Sequence, residues 1–102
     1  MRRANILLHN RLAGFLEEEG RKYRFTYCDG YDGPPVSLTM PTAQTEYLFD
    51  AFPPFLEGLL PEGVMLEGLL RQNKLSAGDY LGQAIAVGHE MVGAITVEEA
   101  SE

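Results

Sequence analysis

The sequence predicts an α+β domain: a small antiparallel sheet from the first half of the chain and about three short helices in the second half. In the first half, apolar residues alternate with polar ones at the period of a half-exposed strand. From Pro53 onwards, apolar residues recur at the spacing of one helix face. The length of 102 residues suits one domain, spanning residues 1–102, and is too short for two.

Three strands are predicted near the start of the chain, joined as an antiparallel meander. They comprise the apolar runs at residues 6–8 and 12–16 and the segment 23–27, in which aromatic residues alternate with polar ones. The connections at residues 10–11 and 19–21 are short enough for hairpins. Neighbouring strands are therefore expected to pair in antiparallel fashion.

A loop and a short edge strand are predicted to follow. Residues 29–35 contain two glycines and two prolines, a composition typical of a loop. The run Val-Ser-Leu-Thr-Met at residues 36–40 alternates again and is predicted to form an edge strand that ends at Pro41. Residues 42–52 have no single period, and fit either a helical turn or an irregular apolar segment.

Two short helices are predicted after this segment. The first begins at Pro53-Pro54, because proline lacks the N–H group that a first helical turn leaves unbonded, and Pro61 ends it. The second covers residues 64–73, where leucines recur on one face.

A third helix and a closing strand complete the predicted domain. Ser76 is predicted to be the N-cap of the third helix, with Asp79 at the N3 position as in a capping box. Gly88 is placed at the C′ position, where helices commonly end in glycine. Residues 94–97 are predicted to form the closing strand of the sheet.

Acidic residues outnumber basic ones, 15 to 8, which gives a formal net charge of −7. Such a surface is repelled by phosphate backbones, which argues against direct binding to nucleic acid. No apolar run approaches the roughly 20 residues that span a membrane, and the run near Met1 is too short for a signal peptide. The single cysteine, Cys28, has no partner for an internal disulfide. We therefore expect a cytoplasmic protein that does not bind membranes.

The sequence contains no recognisable catalytic or cofactor-binding motif. Ser37 and Ser76 lack the sequence context of an activated nucleophile, and only His9 and His89 are available as bases. Cys28 and these two distant histidines form a poor set of zinc ligands. We therefore predict a chain that is not an enzyme and holds neither a cofactor nor a metal.

Several features have a structural interpretation that we prefer to a chemical one. The glutamates at 17–19 are interpreted as solvated charges rather than a metal site. The aromatic face of segment 23–27 is interpreted as core rather than a platform for stacking nucleic-acid bases. Cys28 is interpreted as a core thiol rather than a nucleophile, and His89-Glu90 as a surface pair rather than a general base. Two carboxylate pairs are likewise interpreted as surface acids: Asp50 with Glu57, and Glu62 with Glu67.

The segment at residues 59–66 departs from the usual polar composition of a loop. It joins the first two predicted helices through Pro-Glu-Gly, with large apolar residues on both sides. Val64 and Met65 are either the first core residues of the second helix or an apolar projection that binds a partner. Methionine suits a binding surface, because its side chain is flexible and polarisable. The candidate partner-binding residues are Pro61, Glu62, Gly63, Val64, Met65 and Leu66.

Four motifs in order resemble the N-terminal subdomain of the HipA-type serine/threonine kinases. The most specific is P-F-L-E-G-L-L-P-E-G at residues 54–63. The second and third are the leading hairpin L-H-N-R-L-A-G-F-L-E-E at 8–18 and P-V-S-L-T-M-P at 35–41. The fourth combines L-S-A-G-D at 75–79, G-H-E at 88–90 and G-A at 93–94. The resemblance spans about residues 5–98, which is nearly the whole chain.

The resemblance implies a binding role without kinase activity. The ATP-binding loop, the catalytic aspartate and the metal-binding aspartate of HipA kinases have no counterpart in this sequence. The chain is therefore similar to the small antitoxins of tripartite HipBST toxin–antitoxin systems, in which the kinase toxin HipT lacks this subdomain. The family implies that such a protein binds HipT and neutralises it. We expect it to dock on the N-terminal lobe of the kinase, with Val64 or Met65 directed toward the active site.

The family also implies the other partners and leaves two alternatives. A helix-turn-helix DNA-binding protein, HipB, completes these systems, so any link of this chain to DNA would be indirect. We expect the chain to be a monomer by itself. The alternatives are a structural or assembly subunit that binds the kinase without inhibiting it, and an N-terminal fragment of a full-length HipA kinase.

Overall fold

The computed structural model describes residues 2–88 and 95–100, and they form an antiparallel sheet with three helices. The strands are β1 (Arg2–Leu8), β2 (Arg11–Glu19), β3 (Lys22–Tyr27), β4 (Glu46–Phe49) and β5 (Ile95–Glu99). The helices are α1 (Pro54–Glu57), α2 (Gly63–Asn73) and α3 (Tyr80–Val87). The strand order across the sheet is β4-β3-β2-β1-β5. The predicted α+β class is confirmed.

Strands β1 to β3 form the predicted meander, with tight turns between them. His9 and Asn10 connect β1 to β2, with φ values of +52° and +65°. Positive φ at both central residues is what a type I′ hairpin turn requires, and asparagine tolerates it better than most residues. Gly20, with φ of +64°, lies in the turn between β2 and β3. The first turn thus lies one residue earlier than predicted.

Residues 36–40 are not the predicted edge strand. The backbone turns there, with the Met40 N–H bonded to the Ser37 carbonyl at 3.0 Å. The Tyr27 hydroxyl accepts a hydrogen bond from the Val36 N–H at 3.1 Å and donates one to the Met40 carbonyl. Because these backbone groups bond to one side chain, the segment folds over Tyr27 instead of extending along the sheet. The edge strand beside β3 is β4, in the stretch that has no single period in the sequence.

Helices α1 and α2 lie close to their predicted positions. The regular part of α1 is only one turn, but the Leu59 N–H bonds to the Leu56 carbonyl at 3.0 Å, so the chain keeps turning beyond it. Helix α2 ends at Asn73, and Lys74 caps it with φ of +55°. The N–H of Leu75 bonds to the carbonyl of Leu70 at 3.0 Å, as in a Schellman motif.

Both predicted caps of α3 are wrong. The N-cap is Asp79, whose carboxylate accepts a hydrogen bond from the Gly82 N–H at 3.0 Å. Ser76 instead contributes its carbonyl, which accepts from the Gln83 side chain at 3.3 Å. Gly88 is the C-cap with φ of −55°, so a left-handed conformation does not explain the glycine. Strand β5 is confirmed from Ile95, whereas Ala94 and the His89-Glu90 pair lie outside the described residues.

The core lies on one face of the sheet, beneath the helices. The aromatic residues of β3 point into it, and the rings of Phe25 and Phe55 meet edge to face at 5.7 Å. The hydroxyl of Tyr23 donates to Glu18 at 2.9 Å at the border of this face. The preferred interpretation of segment 23–27 as core is therefore correct. The largest fully buried side chains are Phe25, Ile6, Leu16, Leu56, Leu81, Gln83, Val97 and Pro53.

Alkaline pH is expected to destabilise the fold through its buried phenols. Burial, followed by the hydrogen bond to Glu18, raises the pKa of Tyr23, and burial also raises the pKa of Tyr27. The folded chain keeps these protons above about pH 10, where phenols of the unfolded chain ionise. Below about pH 10 the phenols are protonated in both the folded and the unfolded chain, so their contribution to the free energy of unfolding is constant there. Above about pH 10 the unfolded chain binds fewer protons than the folded chain. Above that pH, the free energy of unfolding falls by up to about 1.4 kcal/mol per pH unit for each phenol.

Urea unfolding at about pH 8 and about pH 11 measures this effect. The Tyr23→Phe variant should lose less stability between the two pH values than the wild type, because one of the two phenols is absent. An equal loss in both proteins would contradict the assignment to Tyr23.

Candidate partner-binding surface

Helix α2 lies at the periphery of the fold. In the described part of the chain, none of its eleven residues is buried. Its inner face is formed by Leu66, Leu69 and Leu70, which are only partly buried, and the helix contacts α3. Most helical stability in proteins comes from packing of an apolar face. Because the apolar face of α2 consists of three partly buried leucines, only a narrow contact holds this helix to the domain.

The outer side of the turn before α2 presents large apolar side chains to solvent. Val64 is 82% exposed and Met65 is 76% exposed, and Leu59 is 39% exposed. Neither Val64 nor Met65 is therefore a core residue of the second helix. We call residues 59–66 the apolar turn, and it includes all six candidate residues. Pro61 is partly exposed, Glu62 and Gly63 are exposed, and Leu66 is partly buried on the inner face.

The backbone of the apolar turn directs these side chains outward. Glu62 is extended at the N-cap position, and Gly63 follows with φ of +61°, a conformation that glycine adopts without strain. The Leu66 N–H then bonds to the Glu62 carbonyl at 3.4 Å and closes the first turn of α2. The chain therefore changes direction sharply at Pro-Glu-Gly, and Val64 and Met65 are placed in the first turn of the helix.

The charges around the apolar turn are negative. Glu57, Glu62 and Glu67 are exposed and lie in or beside it, whereas the basic residues of this region, Arg71 and Lys74, lie at the far end of α2. The chain as a whole carries a formal charge of −7. The surface therefore combines an apolar centre with acidic surroundings, which complements an apolar surface with basic surroundings.

Two other leucines are highly exposed, and the sequence does not indicate either of them as a binding residue. Leu38 is 97% exposed at the tip of the segment that folds over Tyr27, and Leu48 is 74% exposed in β4. Single exposed apolar residues are common on protein surfaces. Val64 and Met65 differ from them because they are adjacent and belong to a helix without buried residues.

The contacts of the residues considered as catalytic groups or metal ligands are those of structural residues. Glu17 accepts hydrogen bonds from Arg24 at 3.1 and 3.2 Å, and Glu18 accepts from Tyr23. Burial raises the pKa of the Cys28 thiol, which disfavours the nucleophilic thiolate. Within residues 2–88 and 95–100, no three His, Cys, Asp or Glu side chains form a potential metal site.

The helices of the described residues are too short or too polar to span a lipid bilayer.

A family model and a solved structure both relate this chain to the N-terminal domain of HipA. The family model of the HipA N-terminal domain matches residues 4–98. An uncharacterized protein from Haemophilus influenzae is 27% identical over 99 residues, which is 97% of this chain and 93% of that protein. A solved structure of the N-terminal domain of HipA toxin aligns with a TM-score of 0.78 and 24% identity, covering 100% of this chain and 95% of that one, and supports the fold. Because the family model covers nearly the whole sequence, the chain belongs to the HipA N-terminal domain family.

Proposed function

We propose that this protein is an antitoxin that binds a HipA-like serine/threonine kinase toxin, HipT, and neutralises it. In this proposal the chain docks on the N-terminal lobe of the kinase, and the apolar turn obstructs the active site. The family match supports a relation to HipA through its N-terminal domain, which is not the catalytic part. The observation that carries the proposal is the exposure of Val64 and Met65 at the start of a helix without buried residues.

The exposed apolar side chains supply a physical reason for binding. Removing apolar surface from water contributes roughly 25 cal/mol per Å² to binding, before the entropy cost of association is subtracted. A few residues usually contribute most of the energy of an interface, and they lie near its centre. Val64 and Met65 suit that role, because they are the most exposed large apolar side chains of the apolar turn. Burying them requires no rearrangement of the core.

The negative charge supports fast association with a basic kinase surface. Opposite charges steer two proteins together before their apolar surfaces meet, and salt screens this attraction. Glu57, Glu62 and Glu67 place acidic groups around the part of the surface that we expect to dock. The association rate should therefore fall as ionic strength rises.

The remaining parts of the proposal follow from the family and the charge. The protein works in the cytoplasm without a cofactor, and it inhibits by occupying a surface rather than by catalysis. A helix-turn-helix protein, HipB, is reached only through the kinase. The formal charge of −7 opposes association of the chain with itself, so we expect a monomer in isolation.

Co-expression with a HipA-type kinase that lacks its own N-terminal domain tests the proposal. We expect the chain to restore growth to cells that the kinase arrests, and purified chain to abolish phosphotransfer at saturation. A complex that forms while phosphotransfer continues unchanged would make the chain an assembly subunit and overturn the antitoxin role. Failure to form any complex would overturn the proposed partner.

A further inference from the structure

We propose that the kinase-docking surface extends beyond the apolar turn onto the outer face of α2, where Gly68 lets the partner approach the helix backbone closely. This inference rests on the proposed function, since it takes the same kinase as the partner. It assigns a contact to a residue that neither the fold nor the family motifs explain.

Helical geometry places Gly68 beside the exposed apolar residues. Residues three and four positions apart lie next to each other on a helix surface, so Val64 and Met65 both neighbour Gly68. One turn further along, Arg71 and Gln72 flank Gly68 on its other side, and all of these residues are exposed. Gly68 therefore lies in the middle of a solvent-facing strip, away from the inner face.

The described fold gives no reason for a glycine at this position. Gly68 does not have a positive φ, and a Cβ atom added to it would meet no described atom within 4 Å. Glycine in a helix interior is nevertheless less stable than alanine, because it loses more backbone entropy on folding. Gly68 therefore weakens the helix, although a Cβ at this position would clash with none of the described residues.

Two other glycines in the helical region provide the contrast. A Cβ on Gly82 would overlap the carboxylate of Asp79, and one on Gly88 would overlap the carbonyl oxygen of Val97. At both of these positions, an internal neighbour occupies the space of a Cβ. At Gly68 that space is open to solvent, where a binding partner could fill it.

The negative charge of the chain favours a basic, apolar partner over a second copy of the chain. We expect the missing Cβ of Gly68 to leave a depression beside the exposed Met65 side chain, into which an apolar side chain of the kinase can fit. Along α2, the exposed Glu62 and Glu67 precede Gly68 and the exposed Arg71 follows it, so the acidic part of this surface is its N-terminal part, which would face basic residues of the kinase. A second copy of the chain carries the same formal net charge of −7, and the repulsion between two such chains opposes their pairing.

Side chains added at Gly68 should strengthen the fold and weaken the complex. Gly68→Ala is expected to raise the midpoint of thermal unfolding by about 4–8 °C, because alanine favours the helix. Gly68→Gln fills the depression with a flexible side chain and should weaken binding to the kinase without its N-terminal domain by about tenfold or more. Gly78→Gln is the matched control, since a Cβ on Gly78 also meets no described atom within 4 Å. It should bind like the wild type.

Measurement of binding and unfolding for the same four proteins separates the outcomes. Weaker binding of Gly68→Gln, with an unfolding midpoint at or above that of the wild type, supports the inference. Equal binding of the wild type and Gly68→Gln overturns the inference but leaves the proposed function intact. If the wild type does not bind the kinase at all, the proposed function and the inference both fail.

Discussion

Replacing Met65 with aspartate is expected to weaken binding to the kinase by about 100-fold without unfolding the domain. Met65 is 76% exposed, so a charged side chain at this position meets water in the free protein. In the proposed complex, the same carboxylate would be removed from water beneath the partner, at a cost of several kcal/mol unless a cation pairs with it. A loss of about 3 kcal/mol corresponds to roughly a 100-fold change in the dissociation constant.

Leu48→Asp is the matched control for this prediction. Leu48 is 74% exposed, nearly the same as Met65, but it lies in β4. Both substitutions add one negative charge and remove one exposed apolar side chain. They therefore make nearly the same chemical change at two different positions on the surface. Calorimetric titration of the kinase at one fixed salt concentration should give wild-type affinity for Leu48→Asp. Equal weakening by both variants would show that net charge, and not the apolar turn, controls binding.

The meander could be predicted because its sequence and its surroundings agree. In β3, Tyr23, Phe25 and Tyr27 alternate with polar residues, and the sheet buries one face and exposes the other. Residues 36–40 alternate in the same way, yet they form turns, because the Tyr27 hydroxyl bonds to the backbone at both ends of the segment. An alternating pattern shows which side chains are apolar. It cannot predict that the hydroxyl of a side chain elsewhere in the sequence will bond to the backbone of the segment and compete with strand pairing.

The cap of α3 was mispredicted for a related reason. Ser76 and Asp79 are both capping residues that precede an apolar run, and a sequence pattern ranks them only by their spacing. In the fold, Arg2 lies 2.6 Å from the Asp79 carboxylate, which holds it near the Gly82 N–H. The choice between the two caps thus depends on β1, which is far away in the sequence.

The candidate surface was only partly predictable. Pro-Glu-Gly between apolar residues indicated an unusual turn, but the sequence left Val64 and Met65 as either core or projection. Their exposure depends on where α2 packs, and the partly buried Leu66, Leu69 and Leu70 determine which side of the helix faces inward. Gly68 gave no signal in the sequence, because a helical glycine looks the same whether its missing Cβ faces solvent or a packed neighbour.

Replacing Gly88 with alanine is expected to destabilise the domain by about 3 kcal/mol, which is a large share of the stability of a small domain. An added Cβ would overlap the carbonyl oxygen of Val97 and lie 2.9 Å from its carbonyl carbon. Val97 is fully buried in β5, and its backbone pairs with Ile6 of β1. The end of α3 or the edge of the sheet must therefore move to accept one methyl group.

Alanine substitutions at Gly82 and Gly68, two glycines inside the helices, make this prediction specific. At Gly82, the added Cβ meets the end of the Asp79 side chain, which can rotate away, so a lost cap of about 1 kcal/mol is offset by a similar gain in helix propensity. Gly68→Ala should be stabilising, because nothing described opposes the added methyl group. Urea unfolding should therefore rank the variants Gly68→Ala, Gly82→Ala and Gly88→Ala from most to least stable. If Gly88→Ala were as stable as Gly82→Ala, α3 would not pack against β5 as closely as described, because only at Gly88 does the methyl group meet backbone that cannot rotate away.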